Sequence, residues 1–198
     1  MIINRCITSY KIVGSNEAIT NLWSTLESMS VNKDNVMLAN LAQHYNIDYE
    51  GEGIDVRGYI YKAEDNSDVD NDYYQLSIET DTADYACDEL FDAIKEALEN
   101  EISISYRELV PGCLKFFVHD EGNFFPEECV VLSSGEPFEE WEGKLFGTIE
   151  EAIQEWCSKM GVERGELPQG EEVDYINEYE YDDLYFDTYY RIKPYESV

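Results

Sequence analysis

The stretch from Tyr73 to Val118 limits what this chain can fold into, because it reads strand, helix, strand, strand with few ambiguous residues between. Tyr74, Leu76 and Ile78 alternate with polar residues at the period of two of a half-buried strand, until the polar run Glu79-Thr80-Asp81-Thr82 breaks the pattern. Cys87, Leu90, Phe91, Ile94 and Leu98 then recur at i, i+3, i+4, i+7 and i+11. That spacing sets them along one side of a helix, with Asp88, Glu89, Asp92 and Glu96 on the other. Ile102, Ile104 and Tyr106 alternate again, Pro111-Gly112 turns the chain, and Leu114 to Val118 supplies one more apolar strand.

The flanking sequence extends this frame in both directions. Residues 4–13 predict a first strand with Cys6, Thr8, Tyr10 and Ile12 on one face. Gly14-Ser15 ends it, and Ser15 suits the N-cap of a helix that buries Ile19, Leu22, Trp23, Leu26 and Met29. A second helical segment over 35–45 aligns Leu38, Leu41, Ala42 and Tyr45, and the glycines at 51 and 53 end it. Val56 to Ala63 reads as the second strand, in which Gly58 marks a bulge or a close backbone approach. Beyond Val118, the turn Asp120-Glu121-Gly122-Asn123 leads to Phe124-Phe125-Pro126 and a strand over 128–132. Thr148 with Glu151 makes a capping box for a helix that buries Ile149, Ala152, Ile153, Trp156 and Met160 before Gly161 stops it.

The order strand, helices, strand, strand, helix, strand, strand predicts an α+β fold with the split βαβ arrangement of ferredoxin-like proteins. Its antiparallel sheet would carry helices on one face and leave the other available, with added strands, a C-terminal helix and an acidic tail. At 198 residues the chain is long enough for one well-buried domain with extensions. We place that domain over 1–161 and an acidic, tyrosine-rich segment over 162–198. Asn4-x-Cys6 with Gly14 after the first strand, Ser77-Ile78-Glu79-Thr80, Tyr106-Arg107-Glu108 running into Pro111-Gly112, and the hairpin Gly122-Asn123-Phe124-Phe125-Pro126-Glu127 together resemble the YubB-type ferredoxin-like proteins of phages, plasmids and conjugative elements. The similarity covers about residues 1–160 and departs after Thr80, where Asp81-Thr82-Ala83-Asp84 stands in place of a Trp-x-Pro. It implies a mobile-element origin and an α+β fold, and it transfers no site residues.

Charge separates this chain from ordinary proteins. Its 44 carboxylates against 13 Lys and Arg leave a net charge of -31, and residues 1–60 hold 7 acids and 4 bases, 61–120 hold 16 and 4, and 121–198 hold 21 and 5. Such a surface repels nucleic acid and anionic membrane, disfavours the compact state through self-repulsion, and suits a basic partner. Hydrophobic residues at 43% and aromatics at 14% still supply enough apolar surface to fold. The N-terminus lacks a basic region followed by an apolar run, and no apolar stretch approaches the roughly eighteen residues of a membrane span, so a soluble, cytoplasmic protein is expected. Cys6, Cys87, Cys113, Cys129 and Cys157 are odd in number and contain no C-x-x-C pair, which indicates reduced thiols and neither a disulfide framework nor a zinc site.

Two acidic segments stand out as candidate partner-binding surface. Asp68-x-Asp70-x-Asp72 has the spacing of the first ligands of a calcium loop, with Glu79 at the twelfth position. Tyr73 holds the place where glycine is needed, however, and an acidic, solvated hairpin is the simpler reading. Residues 171–190 hold eight carboxylates (Glu171, Glu172, Asp174, Glu178, Glu180, Asp182, Asp183, Asp187), seven aromatics including Tyr179, Tyr181 and Tyr185, and no Lys or Arg. Carboxylates a few ångström apart with aromatic bodies between them imitate a phosphate backbone, while tyrosines packed inward with acids in water would be an ordinary solvated element. His44 and His119 lack a partner at ligand spacing, no nucleophile elbow or phosphate loop is present, and the abundance of acids makes chance carboxylate pairs uninformative. The sequence therefore predicts no catalytic residue, metal or cofactor. It favours a non-enzymatic interaction protein, a DNA mimic that blocks a basic, nucleic-acid-binding host defence protein in an anti-restriction or anti-CRISPR role. The alternatives are an accessory protein-binding module that uses the open sheet face and carries charge for solubility, and a small metal-binding domain or enzyme.

Overall fold

Alternation of buried and outward residues along the first strand, β1 (Arg5–Gly14), sets the pattern of the larger sheet. Cys6, Thr8, Tyr10 and Ile12 are buried on one face, and Ile7, Ser9, Lys11 and Val13 turn the other way. The computed structural model describes residues 4–30, 35–110, 115–125, 129–181 and 188–197. It is a mixed α+β structure with two antiparallel sheets, and it divides into two compact units, Met1–Phe124 with Ser197–Val198, and Phe125–Glu196.

In the first unit, β1 is followed by α1 (Asn16–Met29), the short β2 (Val36–Met37), α2 (Leu38–His44), α3 (Tyr49–Glu52) and the hairpin strands β3 (Gly58–Asp65) and β4 (Gln75–Ala83). Then come α4 (Asp88–Ala97), β5 (Ile102–Val110) and β6 (Lys115–His119). The sheet order is β6-β5-β1-β4-β3-β2, with the two-residue segment Glu196–Ser197 outermost beside β6. Ser15 caps α1 by accepting from Ala18 N at 3.2 Å. One side of the sheet gives Tyr10, Ile12, Leu76, Ile78, Ile102 and Ile104 to a core closed by Ile19, Leu22 and Leu26 of α1, Leu38 and Leu41 of α2, and Leu90, Phe91 and Ile94 of α4. Each such side chain contributes about 1.5–3 kcal/mol on burial.

Two sequence expectations change here. The polar run Glu79-Thr80-Asp81-Thr82 continues β4 instead of ending it: Thr8 lies opposite Thr80 and Cys6 opposite Thr82, and both threonines are buried. Threonine is β-branched and suits a pleated surface, so polarity alone misplaces the strand end. The helix expected over 35–45 is shortened, because Val36 and Met37 pair with Ile60 and Tyr59 before α2 begins at Leu38. Gly58 does mark a close approach, since a Cβ there would lie 2.5 Å from Asp81 O, and the bulge falls between Ile60 and Lys62. The turn at Pro111-Gly112 and Cys113 lie outside the described residues.

The second unit places β7 (Cys129–Ser134) between β8 (Trp141–Phe146) and β9 (Tyr189–Pro194), both antiparallel to it. Its helix α5 (Ile149–Met160) is capped by Thr148, which accepts from Glu151 N at 3.1 Å, while Glu151 Oε2 accepts from Gly147 N at 3.2 Å. Gly161 ends the helix in the left-handed conformation at φ 67°. Buried Ala152, Ile153 and Trp156 pack with Val131, Phe138, Leu167, Ile176, Tyr190 and Ile192. A boundary after residue 161 therefore does not match the compact units: Leu167, Ile176, Tyr190 and Ile192 share one core with α5, and the division falls after Phe124. Strands β8 and β9 were not legible beforehand.

Candidate functional site

Charge and packing sort the acidic segments by side. Short helix α6 (Glu172–Asn177) buries Ile176 completely and packs Val173, Tyr179 and Tyr181 against the second core, while Glu171, Asp174, Glu178 and Glu180 are exposed and Glu172 is half-buried. Trp156 Nε1 donates to the Tyr181 hydroxyl at 2.7 Å, and the rings of Trp156 and Tyr179 meet edge-on at 5.3 Å. Asn177 accepts from Ile192 N at 2.7 Å and donates from Nδ2 to Ile192 O at 3.0 Å, which ties α6 to β9. Arg164 bridges Glu150 and, at 3.8 Å, Glu172. The tyrosines thus face inward and the carboxylates water, on a backbone fixed at several points. Asp182, Asp183, Tyr185 and Asp187 lie outside the described residues.

Asp68, Asp70 and Asp72 are exposed at the turn joining β3 to β4. The Asp68 carboxylate accepts from Asn71 N at 3.3 Å and from Asn71 Nδ2 at 2.7 Å, so its oxygens serve the turn itself. Glu79, the would-be twelfth calcium ligand, sits on β4 instead, where it accepts from the Tyr61 hydroxyl at 2.7 Å and pairs with Lys62 Nζ at 3.3 Å. Burial acts to raise the Glu79 carboxyl, but the Tyr61 and Lys62 contacts hold it below its usual range. Among the described residues no group of three or more His, Cys, Asp or Glu is arranged to hold a metal.

The sheet face away from the helices is where cations gather. Arg5 and Lys11 of β1, Lys62 of β3 and Arg107 of β5 project there beside Glu79 and Asp81. Arg5 pairs with Asp81 at 2.7 Å, and Lys11 Nζ donates to Ser77 Oγ at 2.8 Å.

A cavity of about 260 Å³ lies on the helix side of the first unit, between α4 and the β5–β6 hairpin. Asp88, Asp92 and Lys95 come from α4, Ile104 and Tyr106 from β5, His119 from β6, and Glu121 from the turn that follows. The Tyr106 hydroxyl donates to Asp88 Oδ2 at 3.2 Å, Ser103 Oγ donates to Glu121 Oε2 at 2.6 Å, and His119 Nε2 lies 3.5 Å from Glu121 Oε1. The Tyr106 and His119 rings form a tilted wall with centroids 5.6 Å apart. Partial burial, and then the neighbouring Asp88 charge, push the Asp92 carboxyl above its usual range, whereas the Ser103 hydroxyl holds that of Glu121 below it. Helical spacing read from the sequence put Asp88 and Asp92 on a solvated side; the i, i+4 pair was the one signal that they share a face, and nothing local indicated that His119 and Glu121 would stand opposite.

No family model matches this chain, and neither does any curated protein or solved structure. The four described cysteines, Cys6, Cys87, Cys129 and Cys157, are unpaired and buried. Burial pushes the Cys6 thiol up to about 11 and those of Cys87 and Cys129 up to about 12, which leaves them poor nucleophiles at neutral pH. Among the described residues no helix is long and apolar enough to cross a membrane.

Proposed function

We propose that this chain is a non-enzymatic acidic interaction protein whose carboxylates occupy the basic site of a nucleic-acid-binding protein in place of DNA. The observation that carries the reading is the construction of α6: Ile176, Tyr179 and Tyr181 are packed inward and Asn177 is fastened to Ile192, so Glu171, Asp174, Glu178 and Glu180 are held outward on a fixed frame. Mimicry of a phosphate backbone requires charges at set positions, and a loose acidic tail would supply only attraction. The charge is also shared: residues 1–124 hold 24 acids and 8 bases, residues 125–196 hold 20 and 5, so each unit is strongly anionic. Even with every Lys and Arg paired to one carboxylate, an excess of 31 negative charges remains for a partner. An anti-restriction or anti-CRISPR role agrees with the mobile-element origin that the resemblance to YubB-type ferredoxin-like proteins implies.

The test is retention of proteins from a bacterial lysate at low and high salt, with and without competing duplex DNA. Retention of one basic protein that is lost in high salt or to DNA supports the reading, and binding indifferent to both refutes it. Glu171→Gln, Asp174→Asn, Glu178→Gln and Glu180→Gln combined should weaken retention. A second reading, an accessory module that binds through the face of the sheet away from the helices, is favoured by the gathering of Arg5, Lys11, Lys62 and Arg107 there. Binding by that face survives the four substitutions and is lost on reversing Lys11 and Lys62.

A further inference from the structure

We infer that the cavity between α4 and the β5–β6 hairpin is a receptor for a guanidinium group, offered as an arginine side chain by the basic partner. The source of the arginine rests on the function proposed above; the receptor itself rests on geometry. Asp88 and Asp92 stand one turn apart on the same side of α4, and Glu121 faces them from the turn after β6. Three carboxylates meet a single ammonium, that of Lys95, so the lining has an unmatched negative charge. Carboxylates are not all that the cavity offers. The rings of Tyr106 and His119 form its wall, and the Tyr106 hydroxyl, by donating to Asp88 at 3.2 Å, fixes that carboxylate against the ring.

Planar aromatic faces next to forked acceptors are what a guanidinium uses, stacking by its flat side while its N–H groups reach carboxylates in pairs. A compact, strongly hydrated ammonium gains less from such a wall. Size agrees: about 260 Å³ falls below the roughly 300–1,000 Å³ of pockets that take drug-sized molecules, and it suits one side chain better than a nucleotide or a redox cofactor. The other acid-lined cavity, bounded by Glu17, Asn21, Leu98, Glu99 and Glu101, has no aromatic residue in its lining and serves as the internal comparison.

Occupancy also carries a pH signature. The groups facing Asp92 are Asp88, Lys95 and Glu96 on its own helix and His119 across the cavity. A cation bound among them favours ionised Asp92, so affinity rises as pH rises through the titration of this carboxyl, with release of a proton.

The experiment is a titration of the full chain with agmatine, a guanidinium on a short amine chain, followed through the ring resonances of Tyr106 and His119. Methylammonium runs in parallel, and an arginine-containing peptide is compared with its lysine counterpart. Saturable shifts with agmatine, at least about tenfold weaker for methylammonium and in Asp92→Asn or Glu121→Gln, are expected, with Glu17→Gln unchanged. Preference for the arginine peptide over the lysine peptide assigns the source. Shifts that do not saturate, or that fall equally in Glu17→Gln, mean diffuse charge attraction and overturn the receptor. If agmatine binds here but no basic protein is retained from lysate, the receptor stands and the partner reading falls. Circular dichroism of each variant separates lost binding from lost fold.

Discussion

Asn177 and Ile192 form a two-point hydrogen-bonded pair: the side-chain amide accepts from Ile192 N at 2.7 Å and donates to Ile192 O at 3.0 Å. The amide thereby stands in for a strand neighbour on one side of β9, and it does so from the helix that carries the exposed acids. Asn177→Ala leaves both backbone groups without this partner, and the loss should be about 1–3 kcal/mol in urea unfolding. Asn177→Asp, which keeps the acceptor and discards the donor, should fall between the two. An unchanged midpoint for Asn177→Ala would mean that α6 is not held by β9.

Trp156 is the corresponding apolar anchor. It is fully buried, packs edge-on against Tyr175 and Tyr179, and donates to the Tyr181 hydroxyl at 2.7 Å. Trp156→Ala should cost about 3–5 kcal/mol through the space it opens, and Tyr181→Phe about 1 kcal/mol through the single bond removed. Both are measured by chemical denaturation with near-ultraviolet circular dichroism as the probe of the aromatic cluster.

Gly58 tests the close approach of β3 to β4. A methyl group there would meet Asp81 O at 2.5 Å and Thr82 Cγ2 at 2.7 Å. Because one of these atoms is backbone, Gly58→Ala should destabilise by about 1–3 kcal/mol, read as a lowered urea midpoint.

The pH behaviour of two carboxyls runs in opposite directions. Glu79, held below its usual range in the folded protein, adds stability above its unfolded value and loses it as pH falls through the folded one. Asp92, pushed above its usual range, disfavours the folded state once ionised, so its cost appears as pH rises through that window and vanishes in acid. Glu79→Gln should therefore lower the unfolding midpoint at neutral pH, and Asp92→Asn should leave it equal or raise it, with both differences shrinking toward the acid side. A destabilising Asp92→Asn at neutral pH would contradict the assignment.

Much of the first unit was legible because its strands and helices announce themselves by period: Tyr10 and Ile12, Leu22 and Leu26, and Phe91 and Ile94 all sit where the spacing put them. The Thr148 cap and Gly161 stop were equally local. What escaped were features decided by distant partners. Thr80 is buried because Thr8 lies opposite it in the sheet, and Glu79 does not end the strand. β9 exists because β7 has a flank to fill, a fact absent from residues 189–194 themselves. In the candidate surface, the alternation of tyrosines and acids over 171–181 was visible, but the inward turn of Tyr179 and Tyr181 depends on Trp156 and Phe138, and the cavity depends on pairing Tyr106 with His119.

The placement of β7 also governs how this protein comes off the ribosome. Its apolar run Cys129-Val130-Val131-Leu132 gains one neighbour within a few residues, from β8, but the other arrives only with Tyr189–Pro194, after some fifty more peptide bonds have been made. At translation speeds of about 5–20 residues per second that flank stays bare for several seconds, an open template for intermolecular pairing. A nascent chain stalled or cut short before Tyr189 should therefore be sticky and chaperone-dependent, although it already carries nearly all of its solubilising carboxylates.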